Sequence, residues 1–318
     1  MSDAGEYHDR PSRRALARCQ PVGPYASATA SPEGVATVEG VVGVLAGVLA
    51  DAGVALPRDE ARDIVAALLD VPRFWPNLNR DAPLDDDCRR AALTAARRRA
   101  SGTPFAYAVG RAAFRHLSLD VDECVLIPRQ ETELLVEAVL EATGGDWGLV
   151  VDVGTGSGAI ALALATESHF GRVIGTDVSL DALRVARRNA SLLGPALRAA
   201  VEFRAGSLLA PVARERARVV VSNPPYIAYA EAAALPASVR DWEPSLALFS
   251  GENGMAATAA IVRAAPDVLE PGGLLALEVD ARRASLAAEL CMTDARYRDV
   301  AVRLDFAGRE RFVLARRV

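Results

Sequence analysis

Residues 152–158, Asp-Val-Gly-Thr-Gly-Ser-Gly, close a short apolar run that starts at Leu149 and open directly into a second apolar run over 159–166. A strand that turns through glycines into a helix must cross back before another strand can lie beside it in the same direction. This feature therefore commits the region to an alternating α/β chain. The alternation continues: 172–176, 201–204, 219–222 and 274–279 read as strands, while 180–193 and 255–269 read as the helices between them. A helix precedes the first strand, with Leu134, Leu135, Ala138 and Val139 on its apolar face. The order predicts a mostly parallel sheet with helices on both faces. Two late strands, 300–304 and 312–315, are close enough in sequence to form a hairpin.

The first third follows a different rule. Residues 1–35 mix Ser, Ala, Pro, Gly and charges without periodicity and are expected to form a disordered tail. From 36 to 110 apolar residues recur at helical spacing, as in Val41, Val44, Leu45, Val48 and Leu49 and again in Ile64, Val65, Leu68 and Leu69, which predicts a small helical domain. Asp85, Asp86 and Asp87 at the start of one such helix and Arg97, Arg98 and Arg99 at its end suit the helix dipole, with Gly102 and Pro104 closing it. Residues 111–128, with Phe114, Leu117, Leu119 and Val121 alternating over 112–127, are expected to form a linking β-hairpin, and 129–318 the α/β domain.

All 36 basic residues are arginine, which excludes a phosphate-binding lysine, a Schiff-base lysine and a lysine general base. A net charge of −5 and a pI near 5.4 argue against a broad nucleic-acid or membrane footprint. Cys19, Cys88, Cys124 and Cys291, like the three histidines, are too scattered for a zinc site, so no metal is expected. Val41 to Leu56 is broken by glycines and Asp51, and the first residues lack the order of a signal peptide. The expected location is the cytoplasm.

In an open parallel sheet, ligands bind outside the carboxyl ends of the strands. Gly154, Gly156 and Gly158 let backbone approach a ligand there, and Asp177, at the next strand's end, offers a carboxylate for both hydroxyls of a ribose. Asp177 also reads as a helix cap. After a further strand stand Asn223, Pro224, Pro225 and Tyr226. Two prolines fix the backbone and remove two N–H donors. The Asn223 side-chain oxygen and the Pro224 carbonyl can then accept from one planar NH2 group while the Tyr226 ring covers its π face.

These motifs resemble the class I S-adenosylmethionine-dependent methyltransferases. The runs 126–133 (Leu-Ile-Pro-Arg-Gln-Glu-Thr-Glu), 222–227 and 305–309 (Asp-Phe-Ala-Gly-Arg) resemble more narrowly the glutamine N5-methyltransferases of peptide chain release factors. The resemblance implies a Rossmann-like, seven-stranded, mostly parallel sheet, preceded by the small helical domain that docks the substrate. It implies S-adenosylmethionine held by Gly154, Thr155, Gly156, Ser157, Gly158, Asp177, Ser207, Leu208 and Asn223. The substrate glutamine, in the Gly-Gly-Gln loop of a release factor, would be held by Asn223, Pro224, Pro225 and Tyr226, with Asn223, Pro224 and Tyr226 carrying catalysis. A monomer is expected. Three departures stand out: Ser207 where an acid is usual, Gln130 where proline is usual, and Asp280 where glycine is usual. Other readings of the same clamp are an N6-adenine or other nucleic-acid amino-methyltransferase, a ribosomal-protein glutamine methyltransferase, and a cofactor-binding module without activity.

Overall fold

In the computed structural model, which describes residues 36–145 and 147–318, the chain divides into two compact units between Gly110 and Arg111. The expected tail, residues 1–35, lies outside the described residues.

Three long helices, Val38–Asp51, Pro57–Leu69 and Asp86–Ala100, build the first unit, with two short ones at Trp75–Leu78 and Phe105–Val109. Val41, Val42, Leu45 and Leu49 of the first meet Ile64, Val65 and Leu68 of the second, and Ala92, Ala95 and Ala96 give the third a small-residue face that lets it approach closely. The acid-to-base polarity of the third helix is as predicted. Asp85 caps it by accepting from Cys88 N at 2.6 Å, and Arg97, Arg98 and Arg99 occupy its last turn. A two-residue strand pair, Ala36–Thr37 with Pro83–Leu84, was not foreseen. It is too short to carry a periodic signal.

The second unit opens with a hairpin, Arg111–Phe114 against Leu117–Asp120. It is shorter than the alternation over 112–127 predicted, because Asp122 turns the chain: its carboxylate accepts from Cys124 N and its carbonyl from Val125 N. The helix Gln130–Thr143 follows. A seven-stranded sheet then forms in the spatial order Tyr297–Leu304, Glu310–Arg317, Leu269–Glu278, Ala217–Ser222, Leu149–Val153, Arg172–Asp177, Ala200–Ala205. The last five pair in parallel and the two C-terminal strands are antiparallel.

Side-chain alternation along these strands builds two cores. Val150, Val173, Val219, Val221, Leu274 and Ala276 point to one face, beneath Leu135, Val136 and Val139 of Gln130–Thr143 and the helix Ala159–Glu167. Val151, Val153, Ile174, Val220, Leu275 and Leu277 point to the other, beneath the helices Ala256–Val268 and Ala284–Thr293. The strand Leu269–Glu278 begins five residues before the periodic run 274–279. Its register shifts between Leu269 and Leu274, where Pro271 and Gly272 (φ +77°) break the alternation.

Strand order reverses at Leu149–Val153. Later strands first extend the sheet on one side, through Arg172–Asp177 and Ala200–Ala205, then return to the other side at Ala217–Ser222. A crevice opens where the two neighbouring strands lead their chains to opposite faces. The Gly154 loop and Asn223 both leave the sheet at that point.

Candidate active site

The loop after Leu149–Val153 is held from beneath by Asp152. This carboxylate is fully buried; Oδ2 accepts from Thr155 Oγ1 at 2.6 Å and from Ala161 N at 3.2 Å, and Oδ1 meets no partner among the described residues. Burial pushes its pKa up to about 7 in spite of the two donors. The Thr155 side chain therefore faces inward, over Gly175, where an added Cβ would stand 2.7 Å from Thr155 Oγ1. Gly154 N and Thr155 N both donate to Thr176 O, at 2.8 and 2.9 Å. Ser157 is also buried, its carbonyl accepting from Asn189 Nδ2 at 2.9 Å.

The three glycines do different work. Gly154 (φ +72°) and Gly156 (φ +55°) have no atom within 4 Å of where a Cβ would stand, so backbone faces open space at both. Gly158 (φ +85°) instead lets the helix Ala159–Glu167 pack, since a Cβ there would stand 3.0 Å from Leu162. Asp177 joins this loop to the next strand: Oδ2 accepts from Gly156 N at 2.9 Å and Oδ1 from Ser179 N at 2.8 Å. The helix cap is Ser179, not Asp177. Burial raises the Asp177 carboxyl above its ordinary range, opposed by those N–H donors. Each oxygen keeps a lone pair for a further donor. Ser207 is exposed beyond the strand Ala200–Ala205, and Leu208, in left-handed backbone (φ +48°), turns its carbonyl to Thr176 Oγ1 at 2.8 Å. Two open backbone glycines beside an acceptor carboxylate are a chemical fit to the methionine and ribose portions of S-adenosylmethionine.

Asn223 follows Ser222, whose hydroxyl donates to Val153 O at 2.6 Å and locks the two strand ends together. Asn223 Nδ2 donates to Thr132 Oγ1 at 3.0 Å, and Thr132 Oγ1 donates to Glu278 Oε2 at 2.7 Å. Leu126, Arg129, Asn223, Pro224, Tyr226 and Ile227 line a cavity of about 80 Å³. Burial, followed by the nearby Glu278 charge, raises the pKa of the Tyr226 phenol, so the ring stays neutral. Glu278 is itself buried and pushed up to about 7.

Several supports of this site were not legible as such. Arg129 donates to Glu243 Oε1 at 2.6 Å, bridging 114 positions. Gly254 (φ +88°) lies under the Tyr226 carbonyl; a Cβ would stand 2.3 Å from that oxygen. Arg283 donates to Asn253 O at 2.7 Å and to Glu231 Oε2 at 2.9 Å, and the same oxygen accepts from Ala228 N, two residues past Tyr226. Asp280, the departure from glycine, ion-pairs with Arg282 and Arg283 and so becomes part of this brace. The run 305–309 is a turn: Asp305 accepts from Ala307 N, Arg309 N and Arg309 Nε between the two C-terminal strands. The links from Arg129 and Arg283 join distant residues and carry no signal in local spacing, whereas the Asp280 pairs and the Asp305 turn are local.

With this geometry in place, comparison with known proteins is direct. Residues 129–237 match the Methyltransferase small domain and residues 45–110 match the PrmC N-terminal domain. The chain is similar to the release factor glutamine methyltransferase of Moorella thermoacetica, at 42% identity over 276 residues, covering 85% of this chain and 94% of that protein. It is 38% identical to the enzyme of the same name from Deinococcus radiodurans over 271 residues, 85% of this chain and 94% of the relative. With that from Geobacter sulfurreducens it shares 38% identity over 251 residues, 79% of this chain and 86% of the relative. At this identity over nearly the whole of its relatives' length, the chain belongs to the release factor glutamine methyltransferase family.

Proposed function

We propose that this protein methylates the side-chain amide nitrogen of the glutamine in the Gly-Gly-Gln loop of peptide chain release factors. The observation that carries the reading is the Asn223 carboxamide at the cavity formed by Arg129, Pro224 and Tyr226, with its nitrogen already engaged by Thr132. Its oxygen is thereby left to accept from an incoming NH2 group, together with the Pro224 carbonyl.

S-adenosylmethionine supplies an electrophilic sulfonium methyl group. Gly154, Gly156 and Asp177 would hold it, with Ser207 and Leu208 on the adenine side; Thr155, Ser157 and Gly158 shape the loop from inside. An amide nitrogen is a poor nucleophile because its lone pair is delocalised into the carbonyl. Accepting both of its N–H bonds turns that lone pair toward the methyl group. Such positioning supplies up to ~7 to 11 kcal/mol without a strong base. The surplus proton leaves after transfer, when the nitrogen is cationic.

The helical unit ending at Gly110 is assigned to docking of the substrate protein, and the protein to the cytoplasm, where translation occurs, as a monomer. Its net charge of −5 favours a protein substrate over a nucleic acid. No helix among the described residues is long and apolar enough to cross a membrane. Incubation with methyl-labelled S-adenosylmethionine and purified release factors, followed by mass-spectrometric mapping, tests the reading. Label on the loop glutamine is expected; label elsewhere, or on nucleic acid alone, overturns it.

A further inference from the structure

Building on the glutamine-methylation reading, we infer that Glu278 and Thr132 act as a polarity relay, positioning residues that decide which end of the Asn223 carboxamide faces the substrate. The two ends of a carboxamide are nearly identical in shape and opposite in hydrogen-bonding sense. With the oxygen toward the pocket, Asn223 accepts from the substrate NH2; with the nitrogen toward it, donor meets donor and the clamp fails. Backbone geometry does not choose between them.

The choice is made by proton counting along three groups, two of them buried and Asn223 half-buried at the edge of the pocket. An ionised carboxylate only accepts, so the single Thr132 hydroxyl proton goes to Glu278 Oε2, at 2.7 Å. The Thr132 oxygen then has only lone pairs to offer Asn223, at 3.0 Å, and these must be met by Nδ2–H. Asn223 Oδ1 is left for the pocket. Thr132 and Glu278 are 5% and 1% exposed, so water does not compete for these bonds. The members come from the first turn of the helix Gln130–Thr143 and the ends of the strands Leu269–Glu278 and Ala217–Ser222, 146 and 91 positions apart along the two links.

A proton on Glu278 removes the constraint. The carboxylic acid can donate to Thr132, whose own proton is then free to reach Asn223 Oδ1 and turn the amide round. The groups facing Glu278 are Thr132 and Glu131 from the helix, Arg311 from the strand Glu310–Arg317, and Tyr226 from the substrate loop. Burial raises the carboxyl most, Glu131 adds to it, and Thr132, Arg311 and Tyr226 oppose it, leaving a pKa of about 7. The relay therefore loses its sense as pH falls below that value.

The test uses the full chain labelled with nitrogen-15 and, separately, methyl transfer to a release factor. The Asn223 side-chain amide signals, identified by their loss in Asn223→Ala, are expected to exchange slowly and to shift with a midpoint near pH 7. Thr132→Val is expected to abolish both behaviours and lower kcat by about tenfold or more, with the KM for S-adenosylmethionine changed less than about twofold; Thr132→Ser restores the signals and most of kcat. Glu278→Gln, which keeps the side-chain volume, removes the titration and decides the matter if Thr132→Val does not fold. The relay is overturned if the amide signals titrate alike in wild type and Glu278→Gln, or if Thr132→Ser behaves like Thr132→Val. Failure of the wild type to methylate release factors would overturn the substrate reading alone, since the amide signals report on the relay without substrate.

Discussion

The amide of Gly156 donates to Asp177 Oδ2 at 2.9 Å, so the glycine loop and the end of the neighbouring strand form one hydrogen-bonded unit. Asp177 thus shapes the loop, in addition to the ribose-binding role proposed for its oxygens. Asp177→Asn replaces one acceptor oxygen with a donor and removes the charge, so it is expected to weaken S-adenosylmethionine binding by about tenfold or more, roughly the value of a charge-assisted hydrogen bond. Calorimetric titration checks this; affinity within about twofold of wild type would remove Asp177 from the cofactor site.

Asn223→Ala deletes the proposed clamp while leaving Gly154, Gly156 and Asp177 untouched. Turnover is expected to fall by about 100-fold or more, with cofactor affinity nearly intact, because the lost interaction orients only the substrate amide. Single-turnover rates beside calorimetry separate the two. A large loss of cofactor affinity with chemistry preserved would mean that Asn223 serves the cofactor instead.

Gly254→Ala is a severe change in a small package. The new Cβ would stand 2.3 Å from the Tyr226 carbonyl and 2.7 Å from Arg283 Nε, at φ +88°. The expected cost is about 1 to 3 kcal/mol of stability, accompanied by a fall in kcat as the Tyr226 backbone is displaced. Chemical denaturation and steady-state kinetics read both effects; a variant with wild-type kcat would show that Tyr226 tolerates displacement.

The central strands were legible because Leu149–Val153 and Ala217–Ser222 are near-continuous apolar runs that end in chemically distinctive residues, the mark of strands buried on both faces. The helix 180–193 was legible for the complementary reason, an apolar stripe behind a Ser179 cap. Residues 227–254 gave no such signal. They hold a two-residue strand pair, Ile227–Ala228 with Phe249–Ser250, and helices of only four to six residues, with Glu252 and Asn253 in left-handed backbone, a conformation uncommon for Glu though accessible to Asn. Of the site, Asn223 and the glycine loop carry their chemistry in local sequence. Thr132 and Glu278 do not, because each becomes informative only when the fold brings it to the other.

Arg129 and Glu243 provide a second test of long-range support. The Glu243 side chain is 2% exposed and its charge is met by Arg129. Arg129→Ala would leave a buried carboxylate without its counter-ion, at a cost of roughly 3 to 5 kcal/mol when ionised. Burial already raises the Glu243 pKa, so protonation relieves this penalty at low pH. The destabilisation is therefore expected to be larger at pH 8 than at pH 5, as measured by urea unfolding. A loss that is equal at both pH values would mean that Arg129 contributes packing rather than charge.

Asp152 makes stability itself pH-dependent. Its folded pKa, about 7, lies above the ordinary value of 3.8, because burial outweighs the donors Thr155 and Ala161. The folded state thus holds this proton more tightly than the unfolded chain does. The stabilisation is fully present below about pH 4 and is lost as pH rises through about 7. Asp152→Asn cannot titrate, so subtracting its unfolding free energies from those of the wild type isolates this residue from Glu278, which titrates in the same range. Between pH 4 and 8 the difference is expected to move by up to roughly 4 kcal/mol in favour of the variant, the linkage value of a shift of about three pK units. Urea unfolding of both proteins at single-unit pH steps measures it. Parallel curves would mean that Asp152 ionises normally in the folded protein, with water or a second donor reaching the Oδ1 atom that meets no partner among the described residues.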